Sequence, residues 1–387
     1  MTTSSSNFGL EAVLSSPQRG GMRRVLVFKE TLLEPSETFI LAQMRGLSEY
    51  LPILAGLERA CPSLPLPQDP LLLSDCRPVI SNLRAKIYRR AGIAPRFHHR
   101  ARRSRPDLIH AHFASGGRHA LPLARALCLP LLVTFHGADV TVRGSQPDIY
   151  KQLCEHASIF ICVSEFIRDR AIEAGFPPHK LIVHYIGVDR DLFSSSSSPQ
   201  PSQSVLFVGR LVEKKGCEYL LRAMKVVQQS HPECELTVIG DGPLRARLET
   251  LGEELNVRCR FLGIQPASTV REALRRAQIF CVPSVTAANG DSEGLGMVFA
   301  EAQAMGVPVV STRHGGIPEV VFDRINGLLV PERDHEALAD SLCLLLGNED
   351  LWRAFRAAGL QHVEKRFDLK HQTTLLEGVY NRVLTTK

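Results

Sequence analysis

The sequence predicts an α/β protein made of two doubly wound parallel-sheet domains that face a central cleft. Three observations predict it. Short apolar runs alternate with helix-like stretches through residues 22–193, a serine-rich polar segment follows at 194–204, and the same alternation restarts at 205. Apolar runs of about four to eight residues bounded by turn residues read as strands buried on both faces, the kind that parallel sheets use. The length of 387 residues agrees, because a single hydrophobic core stops growing near ~250–300 residues.

In the first half, RRVLVF (23–28) opens the pattern, and DLIHAHF (107–113), PLLVTFHG (130–137), IFICVS (159–164) and LIVHYIGV (181–188) continue it. Helices are predicted between these strands, among them 38–50 and 165–175. SSSSSPQPSQS (194–204) has nothing to bury and reads as a linker. In the second half, SVLFVGR (204–210), ELTVIGDG (235–242), RCRFLG (258–263), IFCVPS (279–284) and PVVST (308–312) alternate with helices near 216–230, 243–255 and 268–277. Each half therefore has a Rossmann-like rhythm, and ligands of such sheets sit outside the carboxyl ends of the strands. The expected scheme is a disordered tail at 1–21, domains at 22–193 and 205–367, and a helix within 368–387 that packs back on the first domain. The active site is expected between the domains.

Hydrophobic content of 44% and charged content of 22% describe an ordinary globular chain. Ten cysteines run from Cys61 to Cys343 with no C-x-x-C pair and no zinc-like spacing, which predicts free thiols in a reducing cytosol. The first twenty residues have no apolar core behind basic residues, so no signal peptide is expected, and no window approaches the ~18 apolar residues of a membrane span. Charge is uneven: residues 1–199 hold 24 Lys/Arg against 17 Asp/Glu, and the remainder 22 against 23. Between Arg84 and Arg125 stand eleven basic residues and one acid, Asp107. This predicts an anionic partner such as a membrane surface. Only Tyr88 and Phe97 offer stacking area between Arg84 and Arg105, which disfavours nucleic acid.

The chemistry concentrates in DSEGLGMVFAEAQAMGVPVVST (291–312). Glu293 lies in a glycine-rich turn and Glu301 on the helix that follows. Gly294 and Gly296 flank the helix start, where unpaired N–H groups and the positive dipole end attract phosphate. Glu301 stands among apolar and small neighbours, so its carboxylate needs a compensating partner. A nucleotide diphosphate sugar has the matching layout: ribose hydroxyls at Glu301, diphosphate over the helix start, hexose hydroxyls near Glu293. His136 follows an apolar strand and precedes Gly137, which places it at the cleft. His110 and His112 alternate on one strand face with no matching acid, a poor metal site. GLGMVF carries Phe299 where a dinucleotide fingerprint needs its third glycine.

These stretches resemble the retaining glycosyltransferases of family 4, which have the two-domain GT-B fold. The likeness rests on E-x7-E with AMGVPVVST and GGIPE, and on FVGRLVEKKG (207–216), VIGDGP (238–243), FLG (261–263) and GLLVP (327–331). TFHGADV (134–140) and GVDRDLF (187–193) carry it into the first half, and PSETFI (35–40) resembles exopolysaccharide and colanic-acid-type transferases. The resemblance implies that Arg210 and Lys215 hold the donor diphosphate, where fixed cations would stabilise charge on the leaving group. It implies that Glu301 takes the ribose, that Glu293 and His136 stand at the donor sugar, and that the amides of Gly294, Leu295 and Gly296 hold phosphate and sugar oxygens. Ile264 would meet the base through its main chain.

No cofactor and no chelated metal are implied. Asp189-x-Asp191, literally a D-x-D, falls inside the family's GVD turn. One departure stands out: the first β–α turn, ETLLEPSET (30–38), lacks the family's frequent glycine pair, although Ser36 or Thr38 could cap the helix. The implied reaction is retaining hexosyl transfer from a nucleotide sugar, with UDP as the nucleotide, to a saccharide hydroxyl on a polyprenyl-diphosphate-linked acceptor. The implied location is cytoplasmic, peripheral on the inner membrane face through residues 84–125. A nucleotide-sugar epimerase on the same fold and a non-catalytic nucleotide-binding scaffold remain as alternatives.

Overall fold

In the computed structural model, residues 22–34, 37–59, 66, 69–73, 78–142, 147–194 and 203–385 are described. The segment 1–21 and most of 194–204 lie outside them, as does Ser36. The first sheet has seven parallel strands in the order Leu71–Leu72, Tyr50–Gly56, Arg23–Phe28, Leu108–His112, Leu131–Phe135, Ile159–Cys162, Leu181–Val183. The second has six, also parallel: Cys259–Phe261, Glu235–Ile239, Ser204–Val208, Ile279–Cys281, Val309–Thr312, Gly327–Val330. In each sheet the first strand in sequence lies inside, flanked on one side by the second and on the other by a later strand. That reversal opens a crevice at the strand's carboxyl end. Lys29–Glu30 and Gly209–Arg210 follow these two strands, and all four line one cleft.

The strand Leu108–His112 is buried at every position, His110 and His112 included, because helices cover both faces of a parallel sheet. One strand departs from the sequence expectation. The helix predicted to reach residue 50 stops at Gly46, with Leu47 extended, and Tyr50–Gly56 pairs in parallel with Arg23–Phe28. Pro52 within YLPILAG obscures that strand, since proline gives no ladder donor. The helix Thr38–Gly46 has no side-chain cap; Glu37 instead turns back to accept from the Glu34 N–H at 2.8 Å.

The chain crosses between domains twice at one place. Val188 N–H donates to Phe367 O (2.7 Å) and Leu369 N–H to Val188 O (3.0 Å). Beyond that point the helix Leu369–Thr385 lies on the first domain. Its buried stripe of Leu369, Gln372, Thr373, Leu376, Tyr380 and Val383 follows helical spacing. Glu377, 2% exposed, accepts from the N–H groups of Ser48 and Glu49 at 2.7 Å each and from Ser48 Oγ at 2.9 Å. Tyr380 Oη lies 2.7 Å from His110 Nδ1.

Candidate active site

The cleft between the domains encloses about 540 Å³. Its second-domain wall begins with the turn before the helix Met297–Ala304. Gly296, with φ of +82°, forms the N-cap, a conformation that a residue with a Cβ rarely adopts. At Gly294 the constraint is proximity: a Cβ would stand 2.0 Å from the carbonyl oxygen of His136 in the other domain. Ser164 Oγ donates to the Gly294 carbonyl at 2.6 Å, which ties the turn to the first domain from a second side. Glu319, from GGIPE, accepts from Glu165 N–H (2.9 Å), Phe166 N–H (3.0 Å) and Tyr185 Oη (2.9 Å), and so caps a first-domain helix.

Two lysines face two acids on this wall. Lys215 Nζ pairs with Glu293 and Lys214 Nζ with Asp291, the latter at 2.9 Å. Desolvation pushes the Glu293 carboxyl up, but Lys215 and then Lys214 outweigh it and hold the group at about 2. Glu293 is therefore an anion across the working pH range. Arg210 is exposed at the cleft, and its guanidinium has no ion-pair or hydrogen-bond partner among the described residues. Glu301 stands in contrast: burial alone raises its carboxyl to about 7, and no cation offsets it.

On the opposite wall, His136 follows the strand Leu131–Phe135. Asp139 fixes the turn, accepting from His136 N–H at 2.8 Å and from Ala114 N–H at 2.7 Å. The ring is packed between Phe39 and Phe113, with centroids 5.0 and 4.6 Å away, and its Nε2 lies 3.0 Å from His112 Nδ1. Burial, then the neighbouring charges of His110 and Lys29, lower His136 to about 3, so the imidazole is neutral. Its Nδ1 is buried and has no hydrogen-bond partner among the described residues. Two acids on this wall are engaged: Lys29 holds Glu37 at 2.9 Å, and Arg89 holds Glu30 at 2.7 Å, whereas the exposed Glu34 carboxylate makes no ion pair among the described residues.

The fold thus gathers His136, Arg210, Lys215, Glu293, Leu295 and Gly296 around one cleft, with Gly294 immediately behind. Glu301 lies further along the helix and Ile264 is 67% exposed; neither lines the cleft itself. Asp189 of the D-x-D caps its own turn, accepting from Asp191 N–H at 3.0 Å, while Asp191 pairs with Lys370. Sequence reasoning missed Lys214, Ser164, Glu319, His112 as the partner of His136, and His314 beside Glu293. For His314 the only signal was its position directly before the GGIPE motif.

Two Rossmann-like domains that face one cleft, with cations and a helix start on one wall, make up the GT-B architecture. Residues 188–362 match the family described as glycosyl transferases group 1, and residues 60–192 match glycosyltransferase family 4. The chain belongs to this family. It is 34% identical over 247 residues to WcaL of Escherichia coli, named for colanic acid biosynthesis, covering 62% of this chain and 61% of that protein. It is 33% identical over 253 residues to AmsK of Erwinia amylovora, named for amylovoran biosynthesis, covering 63% and 62%. The matched region thus spans about three fifths of the length of these relatives. Among solved structures, Anabaena HepE in complex with UDP and glucose aligns with a TM-score of 0.75 at 18% identity, covering 93% of this chain and 100% of that one. At that identity the likeness concerns the fold.

Proposed function

We propose that the protein is a retaining hexosyltransferase that moves a sugar from a UDP-sugar to a hydroxyl of a lipid-linked saccharide in exopolysaccharide synthesis. The observation that carries this reading is the pairing of Lys215 with Glu293 beside the amides of residues 294–296, directly across the cleft from a neutral His136. As the anomeric C–O bond breaks, negative charge grows on the departing diphosphate. Arg210, Lys215 and the helix start would meet it, supplying the charge that a metal supplies elsewhere. The Glu293 carboxylate would hold hexose hydroxyls, and the His136 ring would bound the donor-sugar side of the cleft. Glu30 and Glu37 are tied to cations and Glu34 is exposed on the loop, so in this reading the acceptor attacks on the same face. The departing phosphate oxygen then takes the acceptor proton, and no glycosyl-enzyme forms. Relatives named for colanic acid and amylovoran biosynthesis support the exopolysaccharide context, and HepE, of the same fold, was crystallised with UDP and glucose.

The test is UDP release by the purified protein with a panel of UDP-sugars, before and after addition of polyprenyl-diphosphate-linked saccharides. We expect release that depends on acceptor, and an α-linked product from an α-linked donor by NMR. An isomerised donor without acceptor, or an inverted product, would overturn the reading.

We further infer that the helices Pro78–Ala91 and Pro95–Arg103 meet an anionic bilayer. No described helix is long and apolar enough to cross a membrane. Arg84, Lys86, Arg90, Arg96 and Arg103 are exposed here beside Ile87 (48%) and Ile93 (63%), whereas Arg89 turns inward to Glu30 and Glu58. Each basic residue near such a surface contributes about 1 kcal/mol. Replacing Arg84, Lys86 and Arg96 by glutamine should therefore weaken co-sedimentation with anionic vesicles on the order of 100-fold. Equal binding to neutral vesicles would refute the inference.

A further inference from the structure

Glu293 is gripped by its backbone as well as by Lys215. Its N–H donates to His314 Nε2 at 3.0 Å, and its carbonyl accepts from Gly316 N–H at 3.1 Å. Because Nε2 is the acceptor, His314 carries its proton on Nδ1, which lies 2.7 Å from Glu332 Oε1. Glu332 is itself fixed, accepting from Thr286 N–H at 2.7 Å and from Thr286 Oγ at 3.2 Å. The imidazole is 3% exposed and cannot reorient without losing both bonds. The residues after it fit the turn closely. A Cβ at Gly315 would stand 2.2 Å from Glu293 O, and one at Gly316 2.1 Å from Gly294 O. Two glycines therefore let segment 314–316 lie directly against the turn, and one histidine sets its height.

We propose that His314 is a positioning residue for transfer. Held as the Nδ1–H tautomer by Glu332, it fixes where the Glu293 carboxylate and the amides of residues 294–296 stand relative to Lys215 and His136. It touches no substrate and acts through the backbone of Glu293. The role in turnover rests on the transferase reading above; the grip on the turn does not. A misplacement of about 1 Å at such a turn costs on the order of 100-fold in rate.

The test compares the parent with His314→Ala, which removes the acceptor, and His314→Gln, whose amide oxygen can replace Nε2. Amide hydrogen exchange is followed in the peptide spanning 291–296 and in the strand Val309–Thr312, with UDP affinity and turnover measured beside it. In His314→Ala we expect exchange at 291–296 to quicken about tenfold while the strand is unchanged, turnover to fall about 30–100-fold, and UDP affinity to stay within about threefold. His314→Gln should restore most of both losses. Unchanged exchange in His314→Ala would overturn the proposal, and so would a loss of UDP affinity as large as the loss of turnover. Should His314→Ala not fold, Glu332→Gln, which keeps the imidazole but loosens its tautomer, carries the same comparison. A parent that transfers nothing counts against the transferase reading alone, since exchange still decides whether His314 holds the turn.

Discussion

Lys215→Met should lower kcat/KM for the UDP-sugar donor about a thousandfold, a loss of about 4 kcal/mol in transition-state stabilisation. Two effects add. The diphosphate loses a fixed cation, and the Glu293 carboxylate loses the charge that does most to offset its desolvation. Both side chains are nearly covered, at 11% and 13% exposure, so water does not replace the ammonium. The double variant Lys215→Met/Glu293→Gln should melt above Lys215→Met, because it leaves no carboxylate unpaired, yet stay as inactive. The sign of the pH effect follows from the same pair. The Glu293 carboxyl is depressed from its ordinary 4.5 to about 2, so its stabilisation is present above 4.5 and is lost as pH falls toward 2. Lys215→Met should flatten that acid limb of a thermal-melt profile. A kcat/KM within tenfold of the parent would remove Lys215 from the chemistry.

Glu301→Gln should cut donor kcat/KM about a hundredfold and abolish proton release on UDP binding. Burial raises this carboxyl from 4.5 to about 7, and ionising it in the empty fold costs about 3 kcal/mol. Hydroxyls that donate to the carboxylate would offset that cost. UDP binding between about pH 5.5 and 7 should therefore expel a proton, measurable by calorimetry in buffers of different ionisation enthalpy. For the unliganded protein the sign is opposite to that of Glu293. The stabilising proton is present below 4.5 and lost as pH rises through about 7, so Glu301→Gln should be the more stable protein at pH 8. Proton release that persists in the variant would assign the linkage elsewhere.

What could be read from the sequence was local. Apolar runs gave the parallel strands because each is buried by its own composition, and the glycines at 294 and 296 marked the helix start because turn chemistry sits within a few residues. Tyr50–Gly56 was hidden by Pro52 and by a helix pattern running into it. The partners that complete the site were out of reach for a different reason. Glu293 meets His314 21 positions away, and Glu319 meets Glu165 154 positions away, pairings that no periodicity encodes. Arg89 shows the same limit: it counted as one more surface charge until the fold turned it onto Glu30 and Glu58.

The helix Leu369–Thr385 also bears on how the chain is made. One face of the first sheet, with Val25, Leu132 and Ile161, shares its core with Leu376, Tyr380 and Val383. Glu377 satisfies amides at Ser48 and Glu49 that precede it by more than three hundred positions. During synthesis the first domain therefore emerges with an oily flank uncovered, and it stays so until the whole second domain has left the ribosome.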